Sequence, residues 1–397
     1  MQIPALVLGI VLAAQQGLFW LLGFFFLWRI PRCRTAARAG AGSDVPGSPK
    51  AGPGTARSRI SVIIPARNEE RTLPALLASL AGQERKADEI IVVDDGSQDA
   101  TAQVASRQGV RVLKPGPKPE EWMGKSWACW HGAQAAVGEV FVFMDADTTL
   151  APGGLAALEA THAQDGGLVG VQPYHAIRKP YEALAAVFNI VVMTGLNAFS
   201  VRGRRLAPAG SFGPCMVCGR RDYFAAGGHA SVKTAIVEDM ALGMQFRSVG
   251  VPVTCYGGRG TISFRMYPDG LSSLVEGFTK NMAIGASAMR PDFMAMIVLW
   301  LTGVTLCILS TLFSLLPWFA IHRPMQAVFY LLYAAQVYWM LRRIGSFGLL
   351  TAILFPVPFV FFHFVYFRSV HLVRKGTTVT WKGRSISTHG RHAKHDS

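Results

Sequence analysis

The chain of 397 residues is 51% hydrophobic and only 16% charged, with a formal net charge of +15. That balance excludes an ordinary soluble enzyme and points to membrane segments. The basic excess borders apolar stretches, at Arg29, Arg32, Arg34 and Arg38 and again at Arg368, Arg374, Lys375, Lys382 and Arg384, as expected of charges that meet anionic headgroups and fix topology; no base-reading or stacking motif accompanies them, so nucleic acid is not an expected partner.

Residues 4–28 are almost uninterrupted apolar, longer than the roughly 20 residues a spanning helix needs. With no basic segment before them and arginines after, they read as a retained membrane anchor followed by a cytoplasmic domain. Residues 39–58, rich in Ala, Gly, Pro and Ser, read as a flexible linker. From Arg59 short apolar runs alternate with helix-length segments: strands over 60–66, 89–95, 110–113 and 139–145, and a helix over 125–137. That alternation predicts a mostly parallel sheet with helices on both faces, whose ligands sit beyond the carboxyl ends of the strands. Residues 180–200 read as an interfacial helix, because Asn189, Thr194 and Asn197 interrupt an apolar run. Apolar stretches over 293–321, 325–341 and 347–367 close the chain, each near spanning length, the last breakable into a re-entrant shape at Pro356 and Pro358. The division expected is an anchor (1–30), a linker (31–58), a catalytic domain (59–291), a membrane region (292–367) and a basic tail (368–397).

Four polar clusters follow strand ends. Pro65-Ala-Arg-Asn-Glu-Glu70 contains Asn68 and Glu69, and Asp94-Asp-Gly-Ser-Gln-Asp-Ala-Thr101 contains Asp95. Either is a donor contact, through a carboxylate that accepts from a nucleobase or ribose, or simply a strand–turn–helix with capping residues. Asp145-Ala-Asp147 closes an apolar strand, and two carboxylates at that spacing suit a hard divalent cation, Mg²⁺ or Mn²⁺. Glu238-Asp239 opens a helical stretch, which favours the anion and leaves it available as a general base or as an ordinary cap. The six cysteines lack framework spacing and are expected to be reduced. The lone Cys215-x-x-Cys218 would need two further zinc ligands, with His229 and Cys255 the candidates, and is better read as small buried residues.

Taken in order, P-x-x-N-E, DDGSxDxT, DAD and ED resemble the family 2 glycosyltransferases over residues 59–285. The resemblance implies an α/β fold of the GT-A type, with a Rossmann-like nucleotide-sugar site. It also implies an inverting transfer from a UDP-sugar in which Asp95 contacts the nucleoside, Asp145 and Asp147 hold the metal and diphosphate, and Asp239, beside Glu238, is the base. Lys125 in WMGKSWA matches as well, and Pro65, Asn68 and Glu69 fall in the first donor loop. Processive synthases carry Q-x-x-R-W after the acidic pair, whereas this chain has Glu276-Gly-Phe-Thr-Lys280-Asn281. Lys280 and Arg265 are candidate cations for the diphosphate, and the missing stacking tryptophan argues for transfer of one sugar. WMGKSWACWHGAQAAVGE, EGFTKN and the tail WKGR resemble the subgroup that glucosylates carotenoid acids, the diaponeurosporenoate glucosyltransferases, with hopanoid-associated glycosyltransferases as near relatives. The expectation is a multi-pass cell-membrane enzyme, cytoplasmic in its catalytic domain, moving glucose to a lipid such as a carotenoid acid. The alternatives are a processive polysaccharide synthase or transfer to a hydroxyl lipid such as a hopanoid or diacylglycerol.

Overall fold

The computed structural model describes residues 2–34, 57–287, 289–375, 379–381 and 384–386; most of the expected linker, with Arg38, lies outside these. Parallel strands β1 (Ile60–Ala66), β2 (Glu89–Asp94), β3 (Arg111–Leu113) and β4 (Val140–Met144) form where continuous apolar runs are covered on both faces. A small sheet β5-β10-β7 is built from β5 (Thr148–Leu150), β7 (Tyr174–His175) and β10 (Ile262–Phe264). The main sheet is completed by β6 (Leu168–Gln172), β8 (Cys215–Gly219) and β9 (Val253–Gly257), in the order β3-β2-β1-β4-β8-β6-β9. Strand β8 runs antiparallel to both β4 and β6, so the sheet is mixed rather than simply parallel. An antiparallel strand needs no βαβ crossover, and the short run CMVCG carries no signal of its direction.

Two apolar layers sandwich this sheet. One packs Ile60, Val62 and Cys215 against Leu73–Ala81 and Gly154–Asp165. The other packs Ile63, Phe141, Met216 and Cys218 against Gly124–Ala135 and Glu238–Ser248. Cys215 and Cys218 therefore face opposite sides of β8 and cannot share a metal, as strand alternation across three residues dictates. All six cysteines are free and buried, and burial pushes the thiols of Cys129, Cys215, Cys218 and Cys255 up, which leaves them inert.

A helical layer covers the third side. Gln2–Gly23 lies against Pro291–Ser314 and Arg323–Ile344. Their contact is laced by polar bonds: Gln16 Nε2 donates to Ser310 Oγ at 3.1 Å, Tyr333 Oη to the Gln16 carbonyl at 3.0 Å, Trp300 Nε1 to Gln336 Oε1 at 2.9 Å, and Gln336 Nε2 to the Trp20 carbonyl at 2.6 Å. Such bonds satisfy polar groups where no water competes. Arg343 Nη1 holds the Leu27 and Trp28 carbonyls at 2.6 and 2.8 Å, and the Ser346 amide donates to the His175 carbonyl at 2.8 Å. The Arg343 bonds tie the segment after the first helix to Arg323–Ile344, and the Ser346 bond docks the helices onto the small sheet. Helix Pro356–Arg374 packs on Leu271–Ser287, with Ser369 Oγ donating to the Thr279 carbonyl at 2.6 Å. Strands β11 (Val379–Trp381) and β12 (Arg384–Ile386) pair antiparallel, with β11 next to helix Leu271–Ser287.

Two helices, Pro291–Ser314 and Pro356–Arg374, are long and apolar enough to cross a membrane. The N-terminal helix does not add a clear third: among the described residues its apolar part is Gly9–Gly23. Nor does the expected interfacial helix lie at a surface. Residues 180–200 form a 3₁₀ turn (Pro180–Ala185) and a helix (Ala186–Gly195) buried between the sheet and the outer helices, with Phe188 stacked on Phe278. Its polar residues are spent internally, Asn189 Nδ2 on His175 Nδ1 and the Ala185 carbonyl, and Thr194 Oγ1 on the Ile190 carbonyl. The closing stretch is broken at Pro356, into a short helix (Leu349–Ile353) and the helix Pro356–Arg374, which the proline starts at the position where a missing N–H costs nothing.

Helix Gly124–Ala135 approaches β1 so closely that a Cβ on Gly132 would lie 2.5 Å from Ile63 Cγ2. Gly132→Ala is expected to cost about 1–3 kcal/mol of stability by overpacking. The check is the thermal unfolding midpoint of the purified variant, and an unchanged midpoint would refute this close packing.

Candidate active site

Because β1 pairs in parallel with both β2 and β4, the loops after all three strands open on one edge of the sheet. The first two loops are sewn together. Asn68, in the left-handed conformation at φ 54°, donates its backbone amide to Ser97 Oγ (3.0 Å) and accepts on Oδ1 from the Gln98 amide (2.9 Å). The Glu69 amide donates to Thr101 Oγ1 at 2.8 Å, and Arg67 Nη1 to the Asp95 carbonyl at 2.6 Å. Asp94 Oδ1 accepts from the Ser97 amide at 2.8 Å, which closes the turn at Gly96, φ 69°. Asp94 thus shapes the turn and Asp95, buried beside it, is the residue the turn presents. Pro65 lies within β1, opposite Val93.

The loop after β4 meets two other segments at a cation. Lys125 Nζ, near the start of helix Gly124–Ala135, lies 2.8 Å from Asp145 Oδ1 and 3.1 Å from Glu238 Oε1. Burial alone would lower the pKa of this ammonium, but the carboxylates of Asp145, Glu238 and Asp239 hold it well above the ordinary lysine value. Glu238 and Asp239 open helix Glu238–Ser248, where the helix field favours anions. Asp239 Oδ2 accepts from the Gly213 amide at 2.7 Å and Oδ1 from the Met240 amide at 2.9 Å. Burial first and the Glu238 charge second push the Asp239 carboxyl up to about 6, against the pull of Lys125 and the two amides. The helix can sit this close because Gly210, Gly213 and Gly243 leave no side chain in between: a Cβ on Gly243 would meet the Gly210 carbonyl carbon at 2.5 Å.

Asp147 lies at the rim near Tyr267, whose phenol is pushed up by burial first and by the Asp147 charge second. Arg265 does not stand open to a diphosphate: its Nε and Nη2 bind Oε1 of the buried Glu182 at 2.9 and 2.6 Å. Glu182 also accepts from the amides of Arg178 and Lys179, so the pair fixes the 3₁₀ turn to the loop that carries Tyr267. The Lys280 side chain lies outside the described residues. Sequence reasoning missed Gly213, Tyr267 and Glu182. The Gly210-Ser-Phe-Gly213 run was the available signal for the first, and nothing local marked the other two.

The loops after β1, β2 and β4 at one sheet edge, with Lys125 joining the last of them to the Glu238-Asp239 helix start, suit a ligand that combines a nucleoside, a diphosphate and a hard cation. Comparison with known proteins points the same way. Residues 61–224 match the family described as Glycosyl transferase family 2. The 4,4'-diaponeurosporenoate glycosyltransferase of Staphylococcus haemolyticus (strain JCSC1435) is 38% identical over 84% of this chain and 90% of its own length. That of Staphylococcus aureus (strain USA300) is 38% identical over 83% and 88%. Among solved structures, a mannosyltransferase from Pyrobaculum calidifontis in complex with GDP-Man and Mn²⁺ covers 84% of this chain and 99% of its own, at 16% identity and a TM-score of 0.47, too distant to inform the chemistry. On the strength of the near full-length relatives, the chain is a glycosyltransferase and belongs to glycosyl transferase family 2.

Proposed function

We propose that this enzyme transfers one glucose from UDP-glucose to a carotenoid carboxylic acid, with inversion at the anomeric carbon, on the cytoplasmic face of the cell membrane. The reaction type is carried by one observation: Lys125 gathers Asp145 and Glu238 beside Asp239 at the strand edge that also presents Asp95. The acceptor class is supported by the names of relatives that align over nearly the whole chain. The catalytic domain spans 59–291 and the membrane region 292–367, with the first helix laid against the latter.

In this reading Asp95 receives the uracil or ribose, on a platform braced by Pro65, Asn68 and Glu69, and Lys280 is a candidate cation for the diphosphate. Asp145 and Asp147 supply hard oxygen ligands, and no group of three His, Cys, Asp or Glu that could hold a metal is found among the described residues. That donor set fits Mg²⁺ or Mn²⁺ completed by diphosphate oxygens and water rather than by protein alone. Bound there, the ion supplies Lewis-acid neutralisation of the departing diphosphate. Lys125 adds a fixed positive charge next to Asp145. The acceptor oxygen attacks the anomeric carbon opposite the diphosphate, a new C–O bond forms, and the electron pair of the broken bond leaves with UDP. A carboxylic acid, with a pKa of about 4, arrives ionised. It needs orientation rather than deprotonation, and Lys125 offsets its repulsion by Asp239.

Three outcomes test this. Asp147→Ala is expected to lower glucosyl transfer at least ~100-fold with the circular dichroism spectrum unchanged, and excess EDTA to do the same to wild type; full activity in either case rules out the metal scheme. A carboxyl titrating at about 6 is ionised above that pH, so a rate that depends on Asp239 as base is lost as pH falls through 6. With an acid acceptor the wild-type rate is expected to show no such limb, and the residual rate of Asp239→Asn to stay flat from pH 6 to 8. A rising limb centred near 6, or a product linkage that survives mild alkali, would instead mean a hydroxyl acceptor. A reporter fused at Ser58 is expected to read cytoplasmic in intact cells, and extracytoplasmic exposure would overturn the orientation.

A further inference from the structure

An apolar cavity of about 180 Å³ lies away from the charged cluster, between helix Pro291–Ser314 and helix Pro356–Arg374. These are the same two helices that are long and apolar enough to cross a membrane. Three flexible methionines, Met282, Met289 and Met294, contribute to its wall, side chains that adapt to irregular apolar shapes. Of its four polar side chains, Thr302, Thr305, His363 and Tyr366, the first three engage backbone carbonyls of their own helices. Thr302 Oγ1 donates to the Val298 carbonyl at 2.8 Å, Thr305 Oγ1 to the Leu301 carbonyl at 2.9 Å, and His363 Nδ1 lies 3.0 Å from the Phe359 carbonyl. Water held here would find few partners, so the cavity suits an apolar occupant. At its rim Val298 is 50% and Phe367 64% exposed, so the mouth opens sideways, toward the surface that lipid would contact.

Two chain segments run from the catalytic cluster to this cavity. Gly213, which holds Asp239, follows the Ala207–Ala209 stretch that Asn197 clamps through its carboxamide, and Asn197 follows the helix carrying Val191 of the cavity wall. On the other side Tyr267, beside Asp147, precedes helix Leu271–Ser287, which brings Met282 to the wall. Met289 closes the gap by lying against Gly195, in space a Cβ would fill.

Building on the proposed lipid-acceptor reading, we infer that this cavity is the acceptor subsite: it takes part of the apolar chain of the acceptor, entering sideways from the bilayer, while the reactive head group extends to Asp239. The occupant is the hydrocarbon of the substrate and not a structural lipid. The shape and dryness of the site select for an extended apolar chain, and its position between spanning helices lets the substrate reach the cytoplasmic cluster without leaving the membrane.

The test uses the full-length enzyme in detergent or vesicles. A C16 carboxylic acid bearing a diazirine is photolysed with wild type, and labelled peptides are mapped by mass spectrometry with and without a carotenoid monocarboxylic acid as competitor. Label on Pro291–Ser314 and Pro356–Arg374 that the carotenoid acid removes is expected. Label that it does not remove would identify surrounding lipid and overturn the subsite. Thr305→Trp, which fills the cavity, is expected to raise KM for the carotenoid acid at least ten-fold while KM for UDP-glucose and the rate of donor hydrolysis stay unchanged. An unchanged acceptor KM, in a variant whose donor hydrolysis shows it folded, would also overturn it. A wild type that glucosylates no carotenoid acid defeats the proposed function instead, and competition by a hydroxyl lipid in the labelling experiment would then still support the subsite.

Discussion

Three carboxylates, Asp145, Glu238 and Asp239, meet in a partly buried site, and the contacts of Lys125 make that meeting tolerable. Two unit charges about 4 Å apart interact by roughly 4 kcal/mol at the effective dielectric typical of protein surfaces, so the cluster without its cation would push its own loops apart. The lysine thereby ties three segments distant in sequence: the helix after β3, the end of β4 and the start of helix Glu238–Ser248. Everything that presents the site, from the mixed sheet to the glycine-lined approach of that last helix, serves to bring these ends to one ammonium group.

The elevated Asp239 carboxyl is the cost of this arrangement. Its two backbone N–H donors and Lys125 favour the ionised form, but burial and the adjacent Glu238 outweigh them. Functional sites commonly hold groups displaced from their ordinary pKa in this way. The surrounding scaffold bears the strain: the Arg265–Glu182 pair, with Glu182 fully buried, fixes the loop that carries Tyr267, and Tyr267 itself has φ 52°. A tyrosine in the left-handed region is uncommon, and its ring lies against Gly277 and Phe278, which hold it there.

The helical layer is joined to the catalytic domain by more than a tether. The Ser346 amide donates to the His175 carbonyl, Tyr174 Oη to the Gly345 carbonyl and the Gly257 amide to the Pro31 carbonyl, and helix Ala186–Gly195 runs through the middle as a shared core element. Helices so connected keep a fixed distance from the charged cluster, as the proposed transfer to a lipid acceptor would require.

Local pattern was enough for much of this. The strand over 60–66 is found at those bounds, and those over 89–95 and 139–145 to within a residue, because continuous apolar runs flanked by turn residues leave few alternatives. The order of the four polar clusters, and so the family, was legible for the same reason: each cluster is contiguous. What tertiary structure alone decided are the relations between distant segments. The antiparallel strand β8, inserted between β4 and β6, has no periodicity that reveals its direction. The helix in residues 180–200 looked interfacial because Asn189 and Thr194 interrupt it, yet their partners are buried groups and backbone carbonyls that the sequence does not mark. Arg265 looked available to a phosphate until the fold set Glu182 against it. Hydrophobic period fixes which residues are buried; only packing fixes which polar groups meet, since a hydrogen bond depends on the position of two atoms that can lie far apart along the chain.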